Sequence, residues 1–150
     1  MEPQRVERQG EIIMKLAAYL TIIVHLLLVI LHAAAHQTLG VDATAMQLSF
    51  IFTVIMIAPV VAGLLLWKFE RTGSLILALS MAGSFAFGAY NHFVGHSIDH
   101  VTEVAHLQPA IWSTIFQLTA LGLALSEAAG TFLGAWLLFI RQQDVETNAA

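Results

Sequence analysis

The residues best equipped for chemistry in this sequence are its seven histidines, and they are unevenly placed. His25, His32 and His36 share one apolar stretch, while His92, His96, His100 and His106 lie at and beyond the end of another. If the first stretch is helical, spacings of seven and four put its three imidazoles within roughly 40° of one another, at about 100° per residue. They form one stripe. In the second group His92, His96, Asp99, Glu103 and His106 follow spacings of four, three, four and three, which keep to one face if a helix persists past Gly95, with His100 at its edge. Neutral imidazoles converging with carboxylates make a ligand set for a divalent transition metal, and second carboxylates can fix the imidazole tautomers. Cysteine is absent, so any metal must be held by nitrogen and oxygen, and thiolate nucleophiles and disulfides are excluded.

Such residues need elements to position them. Hydrophobic residues make up 58% of the chain and charged residues only 11%, an amount of apolar surface that one soluble core of this size could not bury. A bilayer solvates it instead. Runs long enough to cross hydrocarbon occur at Leu16 to Ala35, Ala45 to Trp67, Ser74 to Gly95 and Thr114 to Ile140, giving spans of about 14–36, 45–67, 74–96 and 112–140. Polar tails at 1–11 and 142–150 are expected to be poorly ordered. The expected fold is therefore all-α: a single transmembrane domain over 1–150, an up-down-up-down four-helix bundle whose short links make neighbours antiparallel.

Every Lys and Arg (Arg5, Arg8, Lys15, Lys68, Arg71 and Arg141) lies in the N-terminal, second-loop or C-terminal regions. The positive-inside rule then puts both termini in the cytoplasm and the first and third loops in the periplasm or exterior. Trp67 and Trp112 suit the two interfacial belts. A cleaved signal peptide ending at Ala33-Ala34-Ala35 is the competing view of the first span, but the apolar stretch is long for a signal and carries histidines that a discarded segment has no use for.

With this orientation His32 and His92 share one level near the outer face, beside Phe116 and Gln117 of the fourth span. The outer grouping is His32, His36, His92, His96, Asp99, His100, Glu103 and His106; His25 and Glu127 form a deeper pair near the midplane. Ionisable groups in lipid are costly unless they face the bundle interior and find partners, which makes each a functional candidate. Hydrogen bonding among the histidines, Tyr90, Asn91 and Gln117 would be the purely structural alternative.

Three functions fit. The first is a site for Zn, Fe or Cu used in sensing, transport or redox chemistry. The second is b-type haem with His32 and His92 as axial ligands, Gly88 and Gly95 making room for the porphyrin. The third is a proton or small-solute path along His25, Glu127 and the outer histidines. Small residues four apart at Gly122, Ser126, Gly130 and Gly134 suit close packing inside the bundle, or a homo-oligomer face. Pro59 predicts a bend in the second span.

The His-x3-His pair at 32 and 36 and the His-x3-His-x3-His run at 92, 96 and 100 resemble the histidine boxes of membrane di-iron desaturases and hydroxylases. Those enzymes carry further boxes with adjacent histidines on a longer, cytoplasm-facing scaffold. Glu103-Val104-Ala105-His106 has the Glu-x-x-His spacing of di-iron bundles, without the second copy such sites need. No basic excess points to nucleic acid, since the formal net charge is -4. Phosphate-cradling glycine loops and nucleophile elbows are missing from the sequence.

Overall fold

The structure, a computed structural model, describes residues 2–149, with side chains described over 9–140. Arg5, Arg8 and Arg141, which the charge argument uses, therefore lie outside the described side chains. Regular structure among the described residues is entirely helical. Helix α1 spans Glu2–Leu39; α2 spans Ala45–Lys68; α3 spans Glu70–Val94; a short α4 covers Val101–Val104; and α5 spans Ala110–Ala149. Four segments are long and apolar enough to cross a membrane: Gln9–Leu39, Ala45–Lys68, Glu70–Val94 and Ala110–Ile140. Helices α1 and α5 continue through the polar tails.

Local sequence explains the boundaries. Thr44 opens α2 with a capping box, its side chain accepting from the Gln47 amide while the Gln47 side chain accepts from the Thr44 amide. Gly40 takes a left-handed turn, with φ 67, just past the end of α1, as a helix C-terminal glycine does. Within α2 the seven residues Ile51–Ile57 form a π-helical stretch immediately before Pro59. Proline lacks an amide hydrogen and its ring crowds the carbonyl four residues earlier, so the wider turn accommodates it. Helix α3 also widens, at Tyr90–Val94, before Gly95 turns extended.

The largest buried cluster among the described residues lies toward the end carrying Lys15, Glu70 and Arg71, the basic end. Ala18, Ile22, Ala62, Leu66, Leu77, Met81, Leu133 and Leu137 from all four long helices form one buried core there. Lys15 reaches Glu11 at 2.7 Å and also pairs with Glu70 on α3. Small residues set the helix separations. A Cβ added at Gly134 would stand 2.6 Å from the Ala78 amide nitrogen and 2.8 Å from the Ser74 carbonyl, and one at Gly73 would stand 2.6 Å from the Leu66 nitrogen. Gly130 abuts Met81 and Gly122 abuts Leu28, so the small residues of α5 are used in contacts within the chain.

A middle cluster of Val29, Ile55 and Leu123 follows. Beyond it α1 and α2 part, and a smaller cluster of Ala35, Val41, Val104 and Phe116 closes the far side of the histidine end.

Candidate metal centre

Three imidazoles meet at the histidine end. His32 and His36 are one turn apart on α1, and His92 faces them from the π-helical stretch of α3. Their Nε2 atoms converge: His32 to His92 is 3.2 Å and His32 to His36 is 3.2 Å, with ligand atoms of all three within 4.8 Å of one another. His32 and His92 are each 7% exposed, so this is a desolvated cluster.

The opposite nitrogen of each ring identifies the tautomer. Nδ1 of His36 lies 3.0 Å from the Val41 carbonyl, and Nδ1 of His92 lies 3.0 Å from the Asp99 carbonyl. A carbonyl only accepts, so both Nδ1 atoms carry hydrogen. Nδ1 of His32 lies 2.8 Å from Oγ1 of Thr119, whose own hydrogen goes back to the Ile115 carbonyl at 2.7 Å. That hydroxyl therefore accepts from His32. With each Nδ1 protonated, neutral rings would set the Nε2 lone pair of His32 against those of His36 and His92 across 3.2 Å, a repulsion that a cation between them, or a proton on one ring, relieves.

Asp99 extends the pattern. Its Oδ1 is 3.2 Å from Nε2 of His36 and is buried without a hydrogen-bond donor, as a carboxylate facing a lone pair must be. Outer partners that take the Nδ1 hydrogen are the usual way a protein orients imidazoles for a metal. The donor separations suit one as well: nitrogens around a tetrahedral ion at about 2.0–2.1 Å stand roughly 3.3–3.4 Å apart. Phe116, fully buried, fills the back of the site, its ring centroid 4.5, 4.8 and 5.3 Å from those of His32, His36 and His92.

The remaining histidines and Glu103 stand elsewhere. Because α3 ends at Val94, no continuous helical face carries the spacing onward. His96, His106 and Glu103 are exposed, and His100 caps α4, its Nδ1 accepting from the Thr102 amide at 3.3 Å. Of the outer grouping, the fold brings together His32, His36, His92 and Asp99. Gln117, expected at this level, donates to the Val101 carbonyl at 3.1 Å. Thr119 was not anticipated; its position three residues after Phe116, on the same helix face, is the signal that could have found it.

The deeper pair has a different logic. His25, with no exposed surface, donates from Nε2 to the Ile55 carbonyl at 3.0 Å. Ile55 is four residues before Pro59, so it is the carbonyl that proline deprives of its α-helical partner. Nδ1 of His25 is left as an acceptor, 4.0 Å from Oε1 of Glu127. Glu127 is 3% exposed and its Oε2 has no hydrogen-bond partner.

A cleft of about 610 Å³ connects the two sites. Ile30, Ala33 and Gln37 of α1 form one wall, and Gln47, Ile51, Phe52 and Met56 of α2 the other. His32, His36, His92 and Asp99 line it at the histidine end, and Gly88, Leu123 and Glu127 line it deeper in. Among the described residues, no Lys or Arg lies on it. No protein-family model, curated protein or solved structure matches the chain; its buried trio of histidines is a group able to hold a metal ion.

Proposed function

We propose that the chain is a multi-pass membrane protein that binds one divalent transition ion, Zn, Fe or Cu, through Nε2 of His32, His36 and His92, with Asp99 as the nearest additional oxygen donor. The observation that carries this reading is the tautomer arrangement: three Nδ1 hydrogens are taken by Val41, Thr119 and Asp99, leaving three lone pairs on one point. The trio borders a cleft, so whether Asp99 or a molecule from the cleft takes the fourth position separates a closed structural site from an open working one. The metal would supply Lewis-acid or redox chemistry to a molecule in that cleft. The chain's own part is to desolvate the ion and hold its ligands rigid.

The haem alternative is less well supported. An iron between two axial imidazoles needs their nitrogens about 4 Å apart, twice a metal–nitrogen bond of about 2.0 Å, with a macrocycle passing between. His32 and His92 are closer than that, and His36 sits 3.2 Å from His32 where the macrocycle would run.

The membrane orientation belongs to the same proposal: an up-down-up-down path with both termini cytoplasmic and the histidine cluster toward the periplasm or exterior. Supporting it are the clustering of Lys15, Lys68 and Arg71 away from the histidines and the pairing of Lys15 with Glu70 at the far end of α1 and the start of α3.

Detergent-purified protein loaded with Zn(II) and desalted tests the site. Elemental analysis is expected to return close to one ion per chain, lost in His32→Ala and His92→Ala and retained in His96→Ala and His106→Ala. Equal loss in all four variants, or loss in none, overturns the assignment.

A further inference from the structure

The metal reading leaves unused a buried carboxyl, that of Glu127. Glu127 lies on the cleft wall, and its Oε2 is buried without a partner, on the side of Gly88. Leaving such a group unsatisfied is expensive, and a buried orphan in a cavity points to a ligand that completes it.

The geometry specifies what kind of group the orphan takes. His25 gives its Nε2 hydrogen to Ile55, so its Nδ1 lone pair faces Oε1 of Glu127. Ser126 Oγ, 3.5 Å from the same Nδ1, donates to the Leu123 carbonyl at 2.9 Å. At 4.0 Å Glu127 and His25 make no hydrogen bond, so the protein does not commit a carboxyl proton to Oε1. Oε2, on the cleft wall and without a partner, can take a ligand head able to donate to it, as a hydroxyl or an amine does.

The rest of the cleft specifies the body. Apart from its histidine end, the cleft is lined largely by apolar side chains, among them Ile51, Ile55, Met56, Phe87 and Leu123. A volume of about 610 Å³ falls within the range of small-molecule pockets and far exceeds a metal ion. Phe52 on one wall and Ile30 on the other are 56% and 61% exposed, so the gap between α1 and α2 also opens sideways. With no Lys or Arg along it among the described residues, a carboxylate or phosphate head beside Glu127 would find no permanent counter-charge.

We propose that the cleft between α1 and α2 binds an elongated apolar molecule, soluble in the bilayer, whose hydroxyl or amine head donates a hydrogen bond to Oε2 of Glu127. The site stands on the cleft and Glu127 and needs no metal, so it can be tested with the histidine site stripped. Gly88 lies between the two sites: an added Cβ would meet Glu127 Oε2 at 3.7 Å and His92 Cδ2 at 4.0 Å, ordinary contact distances. Alanine fits there. A longer side chain would grow into the cleft.

The test uses full-length protein in phosphatidylcholine nanodiscs with a chelator present, photolabelled by a long-chain primary alcohol bearing a diazirine near its tail. Labelled peptides are expected to come from α1 and α2 around the cleft. Excess unlabelled alcohol or amine of the same chain length should cut labelling about tenfold, and the matching carboxylate should not. Gly88→Val and Glu127→Leu should each reduce it several-fold, with circular dichroism confirming helicity in both. The head-group series needs no variant, so it decides the matter even if Glu127→Leu is misfolded. Equal competition by the carboxylate, or label spread evenly over the exposed helix faces as for a bulk lipid chain, overturns the proposal. Failure here with retained Zn(II) stoichiometry would leave the metal site standing.

Discussion

The two ends of the molecule are built to opposite rules. At the basic end glycines bring helix backbones into contact, aliphatic side chains fill the space between all four long helices, and Lys15 ties α1 to α3. At the histidine end two helices widen into π turns, α1 and α2 separate, and the buried groups include imidazoles and a hydroxyl beside a small apolar cluster. Close packing stabilises and leaves no room for a ligand, whereas polar groups converging beside a cleft can bind and contribute little to stability. Variants at one end should therefore change folding, and variants at the other should change binding.

The largest effect expected is on binding. His32→Ala removes the nitrogen common to both 3.2 Å contacts and should weaken Zn(II) affinity more than a hundredfold by competitive chelator titration, with the thermal midpoint of the metal-free protein little changed. A large drop in that midpoint would make the histidine end a stabilising core and break the comparison. Next comes Gly134→Leu, whose side chain would collide with α3 backbone at Ser74 and Ala78. Overpacking of this kind costs about 1–3 kcal/mol or more and should appear as a lower unfolding midpoint, with Zn(II) stoichiometry intact in whatever remains folded.

Thr119→Val keeps the shape of the side chain and removes the acceptor of the His32 Nδ1 hydrogen. Loss of an orienting partner should reduce metal affinity about 10–100-fold in the same titration. A smaller effect sharpens the role of the deeper histidine. His25→Ala leaves the Ile55 carbonyl unsatisfied at about 1–3 kcal/mol, but Pro59→Ala restores an amide hydrogen to the helix. In a double-mutant cycle the His25→Ala penalty should shrink in the Pro59→Ala background, and strict additivity would show that His25 has another task. Gly88→Ala, with its Cβ at ordinary contact distances, should move stability by less than about 0.5 kcal/mol, in contrast to Gly134.

How much of this was legible in the sequence varied with the reach of the pattern behind it. The four apolar helices follow from composition and length, because 20-residue apolar runs have few other solutions. The His25, His32 and His36 stripe follows from helical periodicity, and it survives because α1 is an unbroken helix. The run beyond His92 relied on the same periodicity in a segment that is not one helix. Tyr90–Val94 widens to π and Gly95 turns extended, so register is lost after His92, and Asp99 reaches the site through a loop. The tautomer-fixing partners at Val41 and Thr119 and the link from Pro59 through Ile55 to His25 depend on which helices touch, information a single sequence does not carry. The cleft exists because α1 and α2 separate, which no local pattern records.

The most direct test of the central claim is X-ray absorption at the zinc edge on the loaded, detergent-purified protein. The expected spectrum has a first shell containing three imidazole nitrogens at about 2.0–2.1 Å, with the outer-ring scattering of bound histidine, reduced in His36→Ala. A shell of oxygen atoms alone, or a histidine signal unchanged in His36→Ala, would contradict it.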